Sequence, residues 1–102
     1  MNKELKLVVD RIVSGFAPDK IILFGSRARG DFNDDSDYDL LVLKKNVKHR
    51  RKAWGKIVKS LRGTCFPADI IVQTPNRYDE LKKNWSLVYS DIDEQGKVLY
   101  EK

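Results

Sequence analysis

The sequence holds a single cysteine (Cys65), a single histidine (His49) and one methionine in 102 residues. One cysteine excludes an internal disulfide framework and a multi-cysteine zinc site, and a reducing, cytoplasmic setting is the natural expectation. Long hydrophobic runs are missing too. No stretch nears the ~20 apolar residues that a bilayer span needs, and the N-terminal segment has no apolar signal core. Internal repeats and low-complexity tracts are absent. The length predicts one domain over residues 1–102, large enough for one modest core. What is there is 41% apolar and 34% charged, too hydrophobic for a disordered chain. Twenty Lys and Arg against fifteen Asp and Glu leave a formal charge of +5. That surplus inclines the chain toward an anionic partner, whether nucleotide, nucleic acid or acidic protein.

Hydrophobic spacing divides the chain into elements. Leu5, Val8, Val9, Ile12, Val13 and Phe16 fall on one face of an amphipathic helix, with Pro18 just beyond its end. Ile21 to Phe24 is a short, wholly apolar run before Gly25 and reads as a buried strand. Tyr38 to Leu43, Asp69 to Val72 and Lys97 to Tyr100 read as further strands. A helix is expected over residues 47–62, with Val47, Trp54, Ile57, Val58 and Leu61 clustered on one side. Arg50 intrudes into that arc, so the first turn is expected to project past the core. Thr74-Pro75 is an N-cap followed by proline at the first helical position, opening a short helix to about Lys83. A last turn or two follows, with Trp85, Val88, Tyr89 and Ile92 on one side. The order predicts an α/β or α+β domain with a small mixed sheet, its helices packed mainly on one face.

One window carries chemistry. The buried strand runs into Gly25-Ser26, a polar loop follows, and the next strand opens with Asp37 and Asp39. Residues i and i+2 of a strand share a face, so the two carboxylates are expected side by side. Like charges at that distance repel unless a cation sits between them, and Mg²⁺ takes one or two carboxylates plus substrate phosphates. A glycine directly after a strand allows close backbone approach. A helix beginning near Ser26 would offer free N–H groups to phosphate, with Arg27 and Arg29 adding positive charge. Two other motifs fail on their own requirements. Gly25 and Gly30 have P-loop spacing, but Asp31-Phe32 stands where Lys-Ser/Thr is required. Asp31, Asn33 and Asp35 imitate a calcium loop whose sixth residue is Ser36 instead of glycine and whose twelfth is Val42 instead of glutamate.

Gly25-Ser26, ten residues and then Asp37-x-Asp39 resemble the DNA polymerase beta-like nucleotidyltransferase superfamily. The fuller string, Gly-Ser-x-Ala-Arg-Gly through Ser-Asp-x-Asp-Leu-x-Val, is similar to its minimal (MNT) branch. The resemblance implies a third carboxylate on a neighbouring strand, and Asp69 is placed for it, although it also reads as a strand-capping residue. It implies transfer of a nucleoside monophosphate, AMP above all, from an NTP to a hydroxyl, with two Mg²⁺ ions. Asp37, Asp39 and Asp69 would then be both catalytic and metal-binding. Gly25 and Ser26 would hold phosphates. Arg29 would either neutralise triphosphate charge or pair with a loop aspartate, and Arg27 has no settled role. MNT proteins are typically paired with an all-helical HEPN toxin, onto which they can transfer AMP as antitoxins. A HEPN partner is therefore expected, with the acceptor supplied from outside the chain. The competing reading is a non-catalytic module that neutralises such a partner by contact.

Other signals are bland by comparison. Residues 44–62 carry nine Lys or Arg and no acid, either a docking face or the solvated back of a helix. His49 reads as surface, Trp54 and Trp85 as core, and Cys65 as chemically inert. No helix-turn-helix, RRM or KH signature supports nucleic-acid binding.

Overall fold

The computed structural model describes residues 2–64 and 66–102. Cys65 lies outside the described residues, and with it the expectation that it is inert. The first helix, α1, spans Lys3–Phe16. Its N-cap is Asn2, whose side chain accepts from the Leu5 N–H at 2.7 Å. It ends where Ala17 turns left-handed ahead of Pro18. The strands are β1 (Lys20–Phe24), β2 (Tyr38–Leu43), β3 (Ala68–Gln73) and β4 (Lys97–Glu101). They form one mixed sheet in the order β3-β2-β1-β4, with β2 and β3 parallel and the other two pairings antiparallel. The remaining helices are α2 (Ser26–Arg29), α3 (Arg50–Ser60), α4 (Pro75–Leu81) and α5 (Val88–Gln95).

Alternation along the strands sorts the core into two layers. Ile21, Leu23, Leu40, Val42 and Val72 face α1 and α3, where they meet Val8, Ile12, Ala53 and Ile57. Ile22, Leu41 and Leu43 face the other way, against Tyr78 of α4 and Ile92 of α5. Helices lie on both faces, with the larger layer under α1 and α3. The second layer is small, and it lies over the half of the sheet that ends at Leu43 and Lys20, which pair with each other. The opposite end of that face, where Phe24 pairs with Asp39, carries no helix of its own from α4 or α5.

Four sequence expectations are corrected. The helix expected over 47–62 starts at Arg50, because Asn46 adopts φ 63 and His49 is extended. Basic side chains in a first turn also oppose the helix dipole, so extending the helix upstream through Lys48 would add an unfavourable charge. The predicted apolar arc of this helix is only partly covered. Ile57 is fully buried with Ala53 beside it, whereas Trp54 is 47% and Val58 41% exposed. α3 lies against both α1 and β3, which turns its Ala53–Ile57 stripe inward and leaves Trp54 and Val58 at the sheet margin. Trp85, expected on the core side, precedes α5 and is 86% exposed. The helix opened by Thr74 also stops at Leu81 instead of Lys83, though its cap forms as expected, with Thr74 Oγ1 accepting from the Arg77 N–H at 3.3 Å.

Candidate active site

The sharp turn after β1 is where the residues converge. Gly25 has φ 74 and ψ −158, a region that only glycine occupies without strain. A Cβ built on it would lie 2.2 Å from Asp39 Oδ2. The Asp39 carboxylate thus rests directly on the Gly25 backbone, in space that any side chain would take. Downstream, α2 is anchored by the buried Ala28 and closed by Gly30 at φ 91, whose N–H donates to the Ser26 carbonyl. The first N–H groups of such a turn have no carbonyl one turn back and face outward, beside Asp39.

Asp39 and Asp69 are register partners on the parallel strands β2 and β3. Adjacent strands lie about 4.8 Å apart, and register partners point to the same face, so the two carboxylates stand together. Burial pushes the Asp39 carboxyl above the ordinary aspartate range, and the charges of Asp69 and then Asp37 push it further, while Arg29 pulls it back. Asp37 stands at the entrance to β2. It lies one residue before β2, exposed, and pairing starts at Tyr38, whose N–H donates to the Pro67 carbonyl at 2.9 Å. From there its charge reaches Asp39. Among the described residues, no three acidic, histidine or cysteine side chains are gathered closely enough to enclose a metal ion by themselves. The donor chemistry nevertheless fits Mg²⁺. Hard carboxylate oxygens stand on adjacent strands, where burial and then the neighbouring carboxylates disfavour the charge of Asp39, beside the glycine turn.

The two arginines separate cleanly. Arg29 is exposed and its Nε lies 3.3 Å from Asp31 Oδ2, so it takes the loop aspartate while remaining close enough to act on Asp39. Arg27 does something the sequence did not signal. Its guanidinium lies 4.4 Å from the Phe32 ring centroid and 4.3 Å from that of Tyr38, between the two. From there Nε and Nη2 donate to the Ser36 carbonyl at 3.2 and 3.0 Å. Tyr38 in turn stacks on Phe66 at 4.5 Å and accepts at its hydroxyl from Asn2 Nδ2. Arg27 thereby fixes the peptide leading into Asp37. Arg27→Ala is expected to destabilise the fold by about 2 kcal/mol in chemical denaturation, combining two cation–π contacts with hydrogen bonds to a carbonyl. Lysine at that position should restore under half of the loss, since an ammonium cannot stack and fork at once.

A cleft of about 320 Å³ opens over the acidic pair, lined by Phe24, Asp39, Asp69, Ile71, Trp54 and Val58. A larger cavity of about 530 Å³ lies at the far end of the same sheet face, around Leu43, Tyr78, Lys82 and Asp93. It touches none of Gly25, Ser26, Asp37, Asp39 or Asp69.

Comparison with known proteins agrees with this geometry. A model of the nucleotidyltransferase domain family matches residues 3–90. Two putative protein adenylyltransferases of Methanocaldococcus jannaschii are similar in sequence. One is 39% identical over 54 residues, 53% of this chain and 54% of its own length; the other is 31% identical over 84 residues, 79% of this chain and 77% of its own. The chain thus spans about half of the first of these relatives. Among solved structures, a putative nucleotidyltransferase from Sulfolobus solfataricus superposes with a TM-score of 0.71 at 25% identity, covering 98% of this chain and 79% of that one. A toxin–antitoxin structure with AMP-PNP gives 0.69 at 20% identity, covering 99% and 75%. A tri-AMPylated Shewanella oneidensis HEPN toxin in complex with MNT antitoxin gives 0.54 at 23% identity, covering 99% and 69%. At those lower identities the last two likenesses speak for the fold alone.

Proposed function

Because the chain belongs to the nucleotidyltransferase domain family, we propose that it transfers AMP from ATP to a hydroxyl group on a protein, with a HEPN toxin as that protein and an antitoxin role in the cytoplasm. The observation that carries this reading is Asp39 seated on Gly25 and aligned with Asp69. The names of the sequence relatives support adenylyl transfer to protein, and the AMPylated toxin complex supports the kind of acceptor.

Each residue then has a task. Gly25 and the N–H groups at Ser26 bind the β- and γ-phosphates, with the Ser26 hydroxyl beside them. Arg29 leaves Asp31 to balance triphosphate charge. Asp37, Asp39 and Asp69 would hold Mg²⁺, which when bound neutralises the phosphates and stabilises the charge of an in-line displacement. The acceptor oxygen forms a bond to the α-phosphorus as the bond from that phosphorus to the bridging oxygen breaks. The bridging electron pair leaves with pyrophosphate, and the hydroxyl proton passes to the Asp69 carboxylate. Asp39, held against the Gly25 backbone, would keep the cation beside the phosphate turn.

The test is label transfer. The purified chain, the product of its adjacent gene and Mg²⁺ should place label from α-³²P-ATP on the partner and none from γ-³²P-ATP. Neutralisation of the partner without any label would instead establish the contact-only module.

A further inference from the structure

We propose that the acceptor enters from the β3 side as an extended, acidic polypeptide segment with apolar side chains, laid in the groove between α3 and the free edge of β3. This rests on the reading of AMP transfer to a protein, and it names which part of the surface selects that protein.

Three observations lead there. The first is the sheet order. The phosphate turn follows β1, and β3 lies on the opposite side of β2. Attacking and leaving oxygens of a phosphoryl transfer are roughly in line, so a leaving pyrophosphate on the β1 side puts the acceptor on the β3 side. The second is the groove itself. The cleft over Asp39 and Asp69 shares Val58, Ala68 and Ile70 with a neighbouring hollow of about 430 Å³ that continues past Leu61 and Phe66. Trp54 and Val58 stand half exposed along it. A half-exposed tryptophan at the mouth of a cleft is the side chain most often found anchoring a partner. β3 closes this end of the sheet and pairs with β2 alone, which leaves backbone groups on its outer side for an added strand.

The third observation is charge. Arg51, Trp54, Val58 and Arg62 follow one another at three- and four-residue steps, so the apolar groove wall is flanked by cations at both ends. Both arginines are exposed, and among the described residues no ion pair engages any basic residue from 44 to 62. The complementary occupant is a segment rich in Asp or Glu around apolar or aromatic residues, one of which carries the hydroxyl.

Random poly(Glu,Tyr) and poly(Lys,Tyr) copolymers test this directly. Binding is read by fluorescence anisotropy and transfer by label from α-³²P-ATP. Poly(Glu,Tyr) should bind at least tenfold more tightly than poly(Lys,Tyr) and take up label. Val58→Glu and Arg62→Glu should each raise its dissociation constant tenfold or more while affinity for a fluorescent ATP analogue stays within twofold. Trp85→Ala, exposed but remote from the groove, should change neither. Equal binding of the two copolymers, or full binding by Val58→Glu, overturns the inference. So does displacement of poly(Glu,Tyr) by oligo(dT) at equal affinity, because the basic face would then be a nucleic-acid surface. Selective binding without label keeps the groove as a polypeptide site and overturns AMP transfer instead.

Discussion

Asp39→Asn should lower Mg²⁺-dependent AMP transfer by at least ~100-fold, since losing a metal-binding carboxylate removes several kcal/mol of transition-state stabilisation and each 1.36 kcal/mol is tenfold in rate. The fold should not suffer. The Asp39 carboxyl titrates above its ordinary range because burial and the nearby Asp69 and Asp37 disfavour its charge. A carboxyl raised in this way binds its proton more tightly in the folded chain than in the unfolded one. Its contribution to stability is therefore present at low pH and is lost as pH rises through the carboxylate range. At neutral pH the asparagine variant escapes that penalty. In EDTA its Tm should equal or exceed that of the parent by a few degrees, whereas the rise in Tm that Mg²⁺ gives the parent should vanish. Asp34→Asn, in the solvated loop, should alter neither. An Asp39→Asn variant that retained transfer would remove the carboxylate site from the mechanism.

Gly25→Ala should be as inactive as Asp39→Asn for a different reason, and its stability tells the two apart. The backbone at φ 74, ψ −158 costs about 1–3 kcal/mol for any residue with a Cβ. The new methyl would also sit 2.2 Å from Asp39 Oδ2, so the carboxylate has to swing off the turn. Transfer should fall by ~100-fold or more, with ~1–3 kcal/mol lost in denaturant unfolding. Gly30→Ala is the control. Gly30 also has positive φ, at 91, but nothing lies within 4 Å of the added Cβ. It should cost ~1 kcal/mol of stability and leave transfer within threefold. Equal activities for the two alanine variants would show that the Gly25–Asp39 contact does not matter.

Much of the architecture was legible from spacing alone. The stripe from Leu5 to Phe16 has one period and one interpretation, and β2 has the bounds its alternation implies. Thr74-Pro75 is a local signal whose physics needs no tertiary help. The candidate residues stood out because Gly25, Asp37 and Asp39 are close in sequence and Asp69 begins an apolar run. Legibility failed where an outcome depends on which neighbour arrives. Trp54 and Trp85 look like core residues in any helical projection, but a projection cannot say how α3 is rotated by α1, or that α5 begins after Trp85. Element boundaries were the least legible feature, as at Asp37, which lies one residue before β2.

The linear order of residues was enough to determine the succession of helices and strands and the glycine turn after β1, because these depend on short-range spacing and backbone stereochemistry. Only the folded chain decided that β3 lies beside β2 with Asp69 level with Asp39, that Arg27 is sandwiched by Phe32 and Tyr38, and that Trp54 and Val58 border the acidic pair. The first and the last of those come from packing between separate elements, the second from how one loop closes on itself. Strand order and helix rotation are set by the summed burial of both core layers, which no local window contains.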